Sequence, residues 1–231
     1  MKAVDLINND VPPIMPKESM EKALLWMDEF KVKHLRVVNN WQYVGLVSDE
    51  MIFDHNTLND RVEDLNFTGH QFSVKKSHHL YKVMQVMSTH QLTVIPVIDE
   101  QSEFIGAISA YHLMEVISLN TGFNQKGAII VLLMNDFDYH LSQIAQIIES
   151  NNAKILGFYT ENVADGNQLK ITLKVNQSKL GPVLQTFSRY DYTIHELYTD
   201  DETSSEFQER YDHLMNYLNL DSWKKLVFMV N

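Results

Sequence analysis

Cysteine is absent from this 231-residue chain. That excludes disulfides, thiolate nucleophiles and thiolate-ligated zinc. Glycine is scarce, with 8 residues, so there is little of the backbone freedom that phosphate-cradling loops use. No nucleophile elbow, phosphate-binding glycine loop, dinucleotide fingerprint or zinc-protease helix occurs, and an enzyme is not expected. Basic residues are outnumbered: 19 Lys and Arg stand against 30 Asp and Glu, for a formal net charge of −11 at pH 7. A surface that acidic repels phosphate backbones and anionic lipid, and no dense basic run offsets it, so neither nucleic acid nor membrane is expected as a partner. No apolar run approaches the length of a membrane span, and MKAVDLINNDVPP lacks the apolar centre of a signal peptide. A cytoplasmic protein is expected.

What the chain does have is an internal repeat. Residues 92–109 read LTVIPVIDEQSEFIGAIS, and residues 35–48 read LRVVNNWQYVGLVS. Each is an apolar run rich in β-branched residues, a polar turn, and a second apolar run closing on Gly, two apolar residues and Ser. That pattern predicts two strands around a tight turn. Upstream, Met20, Ala23, Leu24 and Met27 match Leu80, Val83, Met84 and Met87 at a constant offset of 60, one face of a helix in both places. Between Gly45 and Gly106 the offset is 61, so the second turn holds one inserted residue. A unit of this size packs against its copy, because neither buries its apolar face alone.

Taken in order, residues 4–6 are either a short helical turn or a lead-in to Pro12-Pro13, and Ile14 and Met15 make a short strand. Ser19 is placed to cap a helix running to about Lys31. After the first strand pair, residues 49–54 close the first copy as a helix. Residues 56–71 read as a polar connection; Phe72 and Val74 repeat the role of Ile14, Ser77 repeats the cap, and residues 111–119 close the second copy. Residues 120–127, NTGFNQKG, have the composition of a linker. Beyond it, residues 128–134 read as a buried strand, Asp136 and Asp138 precede a helix with Leu141, Ile144, Ala145 and Ile148 on one face, and residues 154–159 form the next strand. Asp165-Gly166-Asn167 is a hairpin signal before LKITLKV, which alternates strictly. A helix with Leu180, Val183, Leu184 and Phe187 and a strand over residues 192–198 complete a β-α-β-β-α-β order. An acidic, Ser-rich stretch then leads to a helix with Phe207, Tyr211, Leu214, Met215 and Leu218 on one stripe and to a final LVFMV, expected to pack on the body or on a second copy.

On these residues, MEKALLWMDEFKVKHLRVV with GLVS and LYKVMQVMSTHQLTVIPVI with GAIS, and on the Pro96-Val97 step, the chain resembles a tandem pair of CBS domains over residues 4–118. The second half resembles an ACT domain, a small effector-binding module of amino-acid metabolism. The domain order is similar to that of bacterial acetoin-utilisation-type CBS proteins. The resemblance implies an α+β fold: tandem CBS domains of β-α-β-β-α units with copies at about 1–55 and 56–119, a linker at 120–127, a ferredoxin-like ACT domain at 128–200, and a C-terminal helix and apolar tail at 201–231. It also implies a regulatory protein, a homodimer through the CBS pair, and an adenosine-containing ligand (AMP, ADP, ATP or S-adenosylmethionine) in a cleft between the copies.

In that family the second strand is followed by Gly, two apolar residues, Thr or Ser, two residues and Asp; the hydroxyl meets phosphate and the carboxylate takes both ribose hydroxyls. Here Gly45 precedes Ser48 and Gly106 precedes Ser109, while the carboxylate positions hold Met51 and His112. Ribose hydroxyls buried against Met without a partner cost about 1–3 kcal/mol each. The second cleft is therefore the expected site, with Ser109, His112, Gly106, Pro96 and Ile95; Ser48, Gly45 and Arg36 mark the first. The two serines either contact phosphate or cap a strand-end turn. Arg36 is either an anion contact or an exposed surface side chain. Tyr139 stands where the ACT effector loop normally has Gly, against the usual amino-acid pocket. Asp136 and Asp138 are a helix cap or paired metal ligands, and His78, His79, His90 and His112 are solvated side chains or a metal cluster; caps and solvated rings are the commoner outcome, and neither metal nor resident cofactor is expected. Ten histidines also allow pH sensitivity. Two other readings stand beside the sensor: a scaffold whose CBS sites have decayed, and a small-acid or amino-acid sensor acting through the second half.

Overall fold

The computed structural model describes residues 1–40, 42–55, 57–65, 72–101, 103–163 and 166–199. The chain divides into two compact units, the first ending at Ile117.

In the first unit, α1 (Met20–Glu29) starts where the Ser19 hydroxyl accepts the Lys22 N–H at 3.2 Å, and it buries Met20, Ala23 and Met27. Strands β1 (His34–Asn39) and β2 (Gln42–Ser48) form an antiparallel hairpin, and α2 (Asp49–His55) follows. The second copy repeats this with β3 (Val74–Lys75), α3 (Leu80–Thr89), β4 (Val94–Ile98), β5 (Phe104–Ser109) and α4 (Ala110–Asn120). The registers correspond: Val37 faces Gly45, and Val97 faces Gly106. Ile14 makes a single parallel bridge to Val37, where Val74 pairs in parallel with Val97, so the strand expected at Ile14 and Met15 is reduced to one bridge. The first helix stops two residues before Lys31, which takes φ 52° after it, as Gln91 does after α3. That left-handed residue turns the chain from helix to strand, a position that glycine commonly holds.

Two expectations are corrected. The cap of α3 is His79, not Ser77: the His79 ring accepts the Tyr81 N–H at 3.3 Å, whereas the Ser77 hydroxyl donates to Glu100 at 3.0 Å. Ser77 lies two residues too early to reach the helix start. Nor is the connection between the copies wholly polar. Val62–Asp64 is a 3-10 turn with Val62 fully buried and Leu65 buried after it.

That turn is a second, shorter repeat. Ala3–Leu6 is also a 3-10 turn; the Lys2 N–H donates to Asp5 at 2.8 Å, and the Arg61 N–H donates to Asp64 at 3.0 Å. Lys2 bridges to His79 and Arg61 bridges to Ser19, the caps of the two long helices. Ala3 and Leu6 are buried with Leu80, Val83 and Ile95 of the second copy, while Val62 and Leu65 are buried with Met20, Ala23 and Leu35 of the first. Each copy is completed by the turn that precedes the other.

The second unit contains β6 (Ala128–Asn135), α5 (Leu141–Ser150), β7 (Ile155–Asn162), β8 (Gln168–Val175), α6 (Gly181–Arg189) and β9 (Thr193–Thr199). The sheet is antiparallel in the order β7-β8-β6-β9, a ferredoxin-like topology. Alternate residues of β6 and β8 (Ile130, Leu132, Ile171, Leu173) meet Ile144 and Ile148 of α5 and Val183 and Phe187 of α6 in one core. Asp136 and Asp138 do not cap α5. They lie in a 3-10 turn ahead of it, where Asp138 accepts from the Asn135 amide at 3.0 Å, and the cap position is His140. The turn residue Asp165 and the expected C-terminal helix and tail, 201–231, lie outside the described residues. Among the described residues no helix is long and apolar enough to cross a membrane.

Candidate functional site

The residues expected at the second cleft meet where β5 passes into α4. Ser109 is 6% exposed. Its Oγ accepts the His112 N–H at 3.2 Å, capping the first turn of α4, and accepts the Asn8 side-chain amide at 3.2 Å; its own N–H donates to Asn8 Oδ1 at 3.1 Å. The Asn8 N–H donates to the Ala107 carbonyl at 2.9 Å, so this segment runs along the edge of β5. Gly106 makes that approach possible: a Cβ there would sit 2.4 Å from Ile7 Cγ2. With two acceptor positions used, the Ser109 O–H remains to donate. The His112 ring lies beside Glu115 at 3.2 Å. Asn8 is the neighbour that sequence reasoning missed; the AVDL and VEDL turns, with their matching Asp5 and Asp64, were the signal that this segment belongs to the repeat.

Pro96 is buried opposite Ala107, and Ile95 is fully buried in the second-copy core, so the Ile95 side chain packs inward. At the first-copy end, Gly45 is buried opposite Val37, and Ser48 Oγ accepts the Met51 N–H at 3.2 Å. Both serines thus make the helix-start bond that the capping reading requires.

The surface reading of Arg36 is overturned. Arg36 is 3% exposed, and its Nε and Nη1 have no hydrogen-bond partner among the described residues. On β1 it faces Leu46, whose side chain belongs to the second-copy core. The guanidinium carbon lies 5.6 Å from the centre of the Phe104 ring on β5, and that ring stacks with Tyr43 at 6.5 Å. Burial pushes the Arg36 pKa down to about 10. An alternating strand offers every second residue to the opposite face, and Arg36 falls between Leu35 and Val37, which fill the first-copy core.

The two hairpins also meet at Thr93. Its hydroxyl accepts the Lys33 N–H at 2.9 Å and the His34 N–H at 3.1 Å, while the Thr93 N–H donates to His34 Nδ1 at 3.3 Å. Burial, opposed by the nearby Asp49 and Glu50, holds the His34 pKa below its ordinary value. The candidate histidines have separate surroundings: His78 accepts from the Lys75 N–H at 3.2 Å, and the His90 ring packs on Phe72 at 4.8 Å. Among the described residues, no three His, Asp or Glu side chains are grouped to hold a metal ion.

In the second unit, a cavity of about 430 Å³ opens beside the turn before α5, lined among others by Asp138, His140, Gln143, Tyr190 and Tyr192. The Tyr192 hydroxyl donates to Gln143 at 2.9 Å. Tyr139 is turned into the core rather than across this opening.

The family model for the CBS domain matches residues 62–119. The second copy thus matches the CBS domain. With the first copy in the same register, residues 1–117 have the fold of a CBS domain pair. Several solved structures are similar. A CBS domain pair/ACT domain protein from Thermotoga maritima is 21% identical over 51% of this chain and 96% of its own, with a TM-score of 0.45. CBSX2 from Arabidopsis thaliana is 23% identical over 53% of this chain and 97% of its own, with a TM-score of 0.44. The cytosolic domain of the Mg2+ channel MgtE in complex with ATP is 17% identical over 50% of this chain and 48% of its own, with a TM-score of 0.41.

Proposed function

We propose that this chain is a regulatory, ligand-sensing CBS-pair protein that takes an adenine nucleotide in the second cleft, at Ser109 and His112. The observation that carries the proposal is the state of Ser109: a nearly buried hydroxyl, held by two N–H donors at the start of α4, with its own proton free for an anionic acceptor. The positive end of the 11-residue helix favours phosphate there. His112 takes the place of the ribose carboxylate as an acceptor. AMP and ATP, the ligands named with a CBSX2 structure and with the magnesium channel, are the first to test.

The wider proposal has a CBS pair at 1–119, a linker at 120–127, an ACT-like domain at 128–200, a C-terminal tail, and a cytoplasmic homodimer. Phe53 on α2 and Met114 on α4 occupy equivalent places in the two copies and are 60% and 69% exposed, a pair of apolar contacts that suits a dimer built from these helices. A thermal-shift panel of AMP, ADP, ATP and S-adenosylmethionine, followed by calorimetry, tests the ligand. A ligand at 100 times its dissociation constant adds about 2.7 kcal/mol to folding and moves the midpoint by several degrees. The response should vanish in Ser109→Ala and persist in Ser48→Ala. Silence across the panel from a folded dimer would instead favour the scaffold, the reading motivated by Met51 and His112 in the two carboxylate positions. The small-acid sensor draws its support from the open cavity beside Tyr139, and a response to amino acids alone would favour it.

A further inference from the structure

The cavity of the second unit opens where the turn into α5 meets the turn from α6 into β9, at the end of the sheet where Leu133 pairs with Thr193. Asp138 stands in the first turn and Asp191 in the second. Both line the cavity, and among the described residues no Lys or Arg does. The hydrogen-bonding groups have the same polarity. His140 Nδ1–H donates to the Asp138 carbonyl at 3.1 Å, so the neutral ring offers its Nε2 as an acceptor. The Tyr192 O–H is spent on Gln143 at 2.9 Å, which leaves the phenol oxygen able only to accept. Burial raises the Tyr192 pKa, and the Asp138 charge adds to the rise. The Tyr192 ring is set edge-on against Phe187 at 5.5 Å, and Tyr190 is 56% exposed. Phenol rings beside carboxylates suit a cation. An inorganic ion fits poorly, because among the described residues no three His, Asp or Glu side chains are grouped to ligate one. A volume of about 430 Å³ is that of a site for an organic molecule.

We propose that this cavity binds an aliphatic ammonium ion, with a diamine matched best by its two carboxylates. Asp138 and Asp191 receive the ammonium N–H groups, His140 Nε2 is a further acceptor, and the Tyr190 and Tyr192 rings give cation–π and apolar contact to the carbon chain. The ligand is the reverse in charge of a small acid, whose carboxylate the two aspartates would repel. The site lies within the second unit and does not rest on the nucleotide reading at Ser109. An occupant joins the turn before α5 to the turn after α6, so binding stabilises the folded second unit.

The test uses the full chain at neutral pH in an amine-free buffer, where an alkylamine is protonated. The probes are 1,4-diaminobutane, 1-aminobutane, sodium butyrate and magnesium chloride, with sodium chloride at matched ionic strength as the control. The expected result is a midpoint rise of several degrees with the diamine beyond the chloride control, a smaller rise with aminobutane, none with butyrate or magnesium, and one diamine per chain by calorimetry. Asp191→Asn, which suits the left-handed φ of 58° at that position, should weaken diamine binding by about tenfold or more, the loss of one charged hydrogen bond. Asp138→Asn keeps a carbonyl for the Asn135 amide and should do the same. If Asp138→Asn does not fold, Asp191→Asn, in the other turn, decides. Ser109→Ala should bind the diamine as the wild type does. A wild-type chain indifferent to the diamine overturns the site, as does a response undiminished in the aspartate variants. Butyrate or magnesium matching the diamine would also overturn it, the first in favour of a small acid and the second in favour of an inorganic ion. Diamine binding lost in Ser109→Ala but kept in Asp191→Asn would place the response in the first unit and sink this site. A chain that binds the diamine through Asp191 and ignores AMP would uphold the site while the nucleotide reading fails.

Discussion

Replacing Leu6 by Ala should damage the second CBS domain, although Leu6 lies beside the first in sequence. Leu6 is fully buried, in a cluster with Leu80, Val83, Ile95 and Ile108, all of the second copy. Emptying such a site costs the transfer energy of the lost methyl groups plus a cavity term, about 2–5 kcal/mol in all. At the lower bound the folded-to-unfolded ratio falls about thirtyfold, and the midpoint drops by on the order of 10 °C for a unit of this size. Native-state hydrogen exchange read by peptide locates the damage. Protection should fall in α3 and β4 of the Leu6→Ala chain and hold in α1. The mirror variant, Leu65→Ala, buried with Met20, Ala23 and Leu35, should loosen α1 and β1 instead. Loss confined to α1 and β1 in Leu6→Ala would refute the exchange of turns between the copies.

The first unit should lose stability as pH falls below about 6.5. His34 is held below its ordinary pKa by burial, so the unfolded chain binds the proton more readily and stability rises with pH between the depressed folded value and about 6.5. Comparing urea midpoints between pH 5 and 8 for the wild type and His34→Asn should show the steeper slope in the wild type; equal slopes would remove His34 from the account. Gly127→Ala should destabilise the second unit by at least about 2 kcal/mol, since φ is +153° and the new Cβ would lie 1.9 Å from the Val175 carbonyl oxygen. Gly181→Ala, where no described residue lies within 4 Å, should be close to neutral in the same denaturation assay.

Periodicity was enough to read the helices and strands, because the spacing of Met20, Ala23 and Met27 or the alternation of LKITLKV follows from local geometry alone. The duplication was legible for the same reason: two stretches with one pattern bury equivalent faces. The glycine and serine at the end of each hairpin were likewise visible, and so was the Ser19 cap, which depends on a residue three positions away. What the sequence concealed lay in pairings between distant residues. Asn8 reaches Ser109 across 101 positions, and each 3-10 turn seals the other copy's core. Arg36 shows the difference most sharply. A charged residue in an alternating strand reads as solvent-facing, and it would be so if the hairpin had one wet face. Here the outer face of β1 is covered by the second copy, so tertiary packing, which no local pattern encodes, turned a surface cation into a buried one.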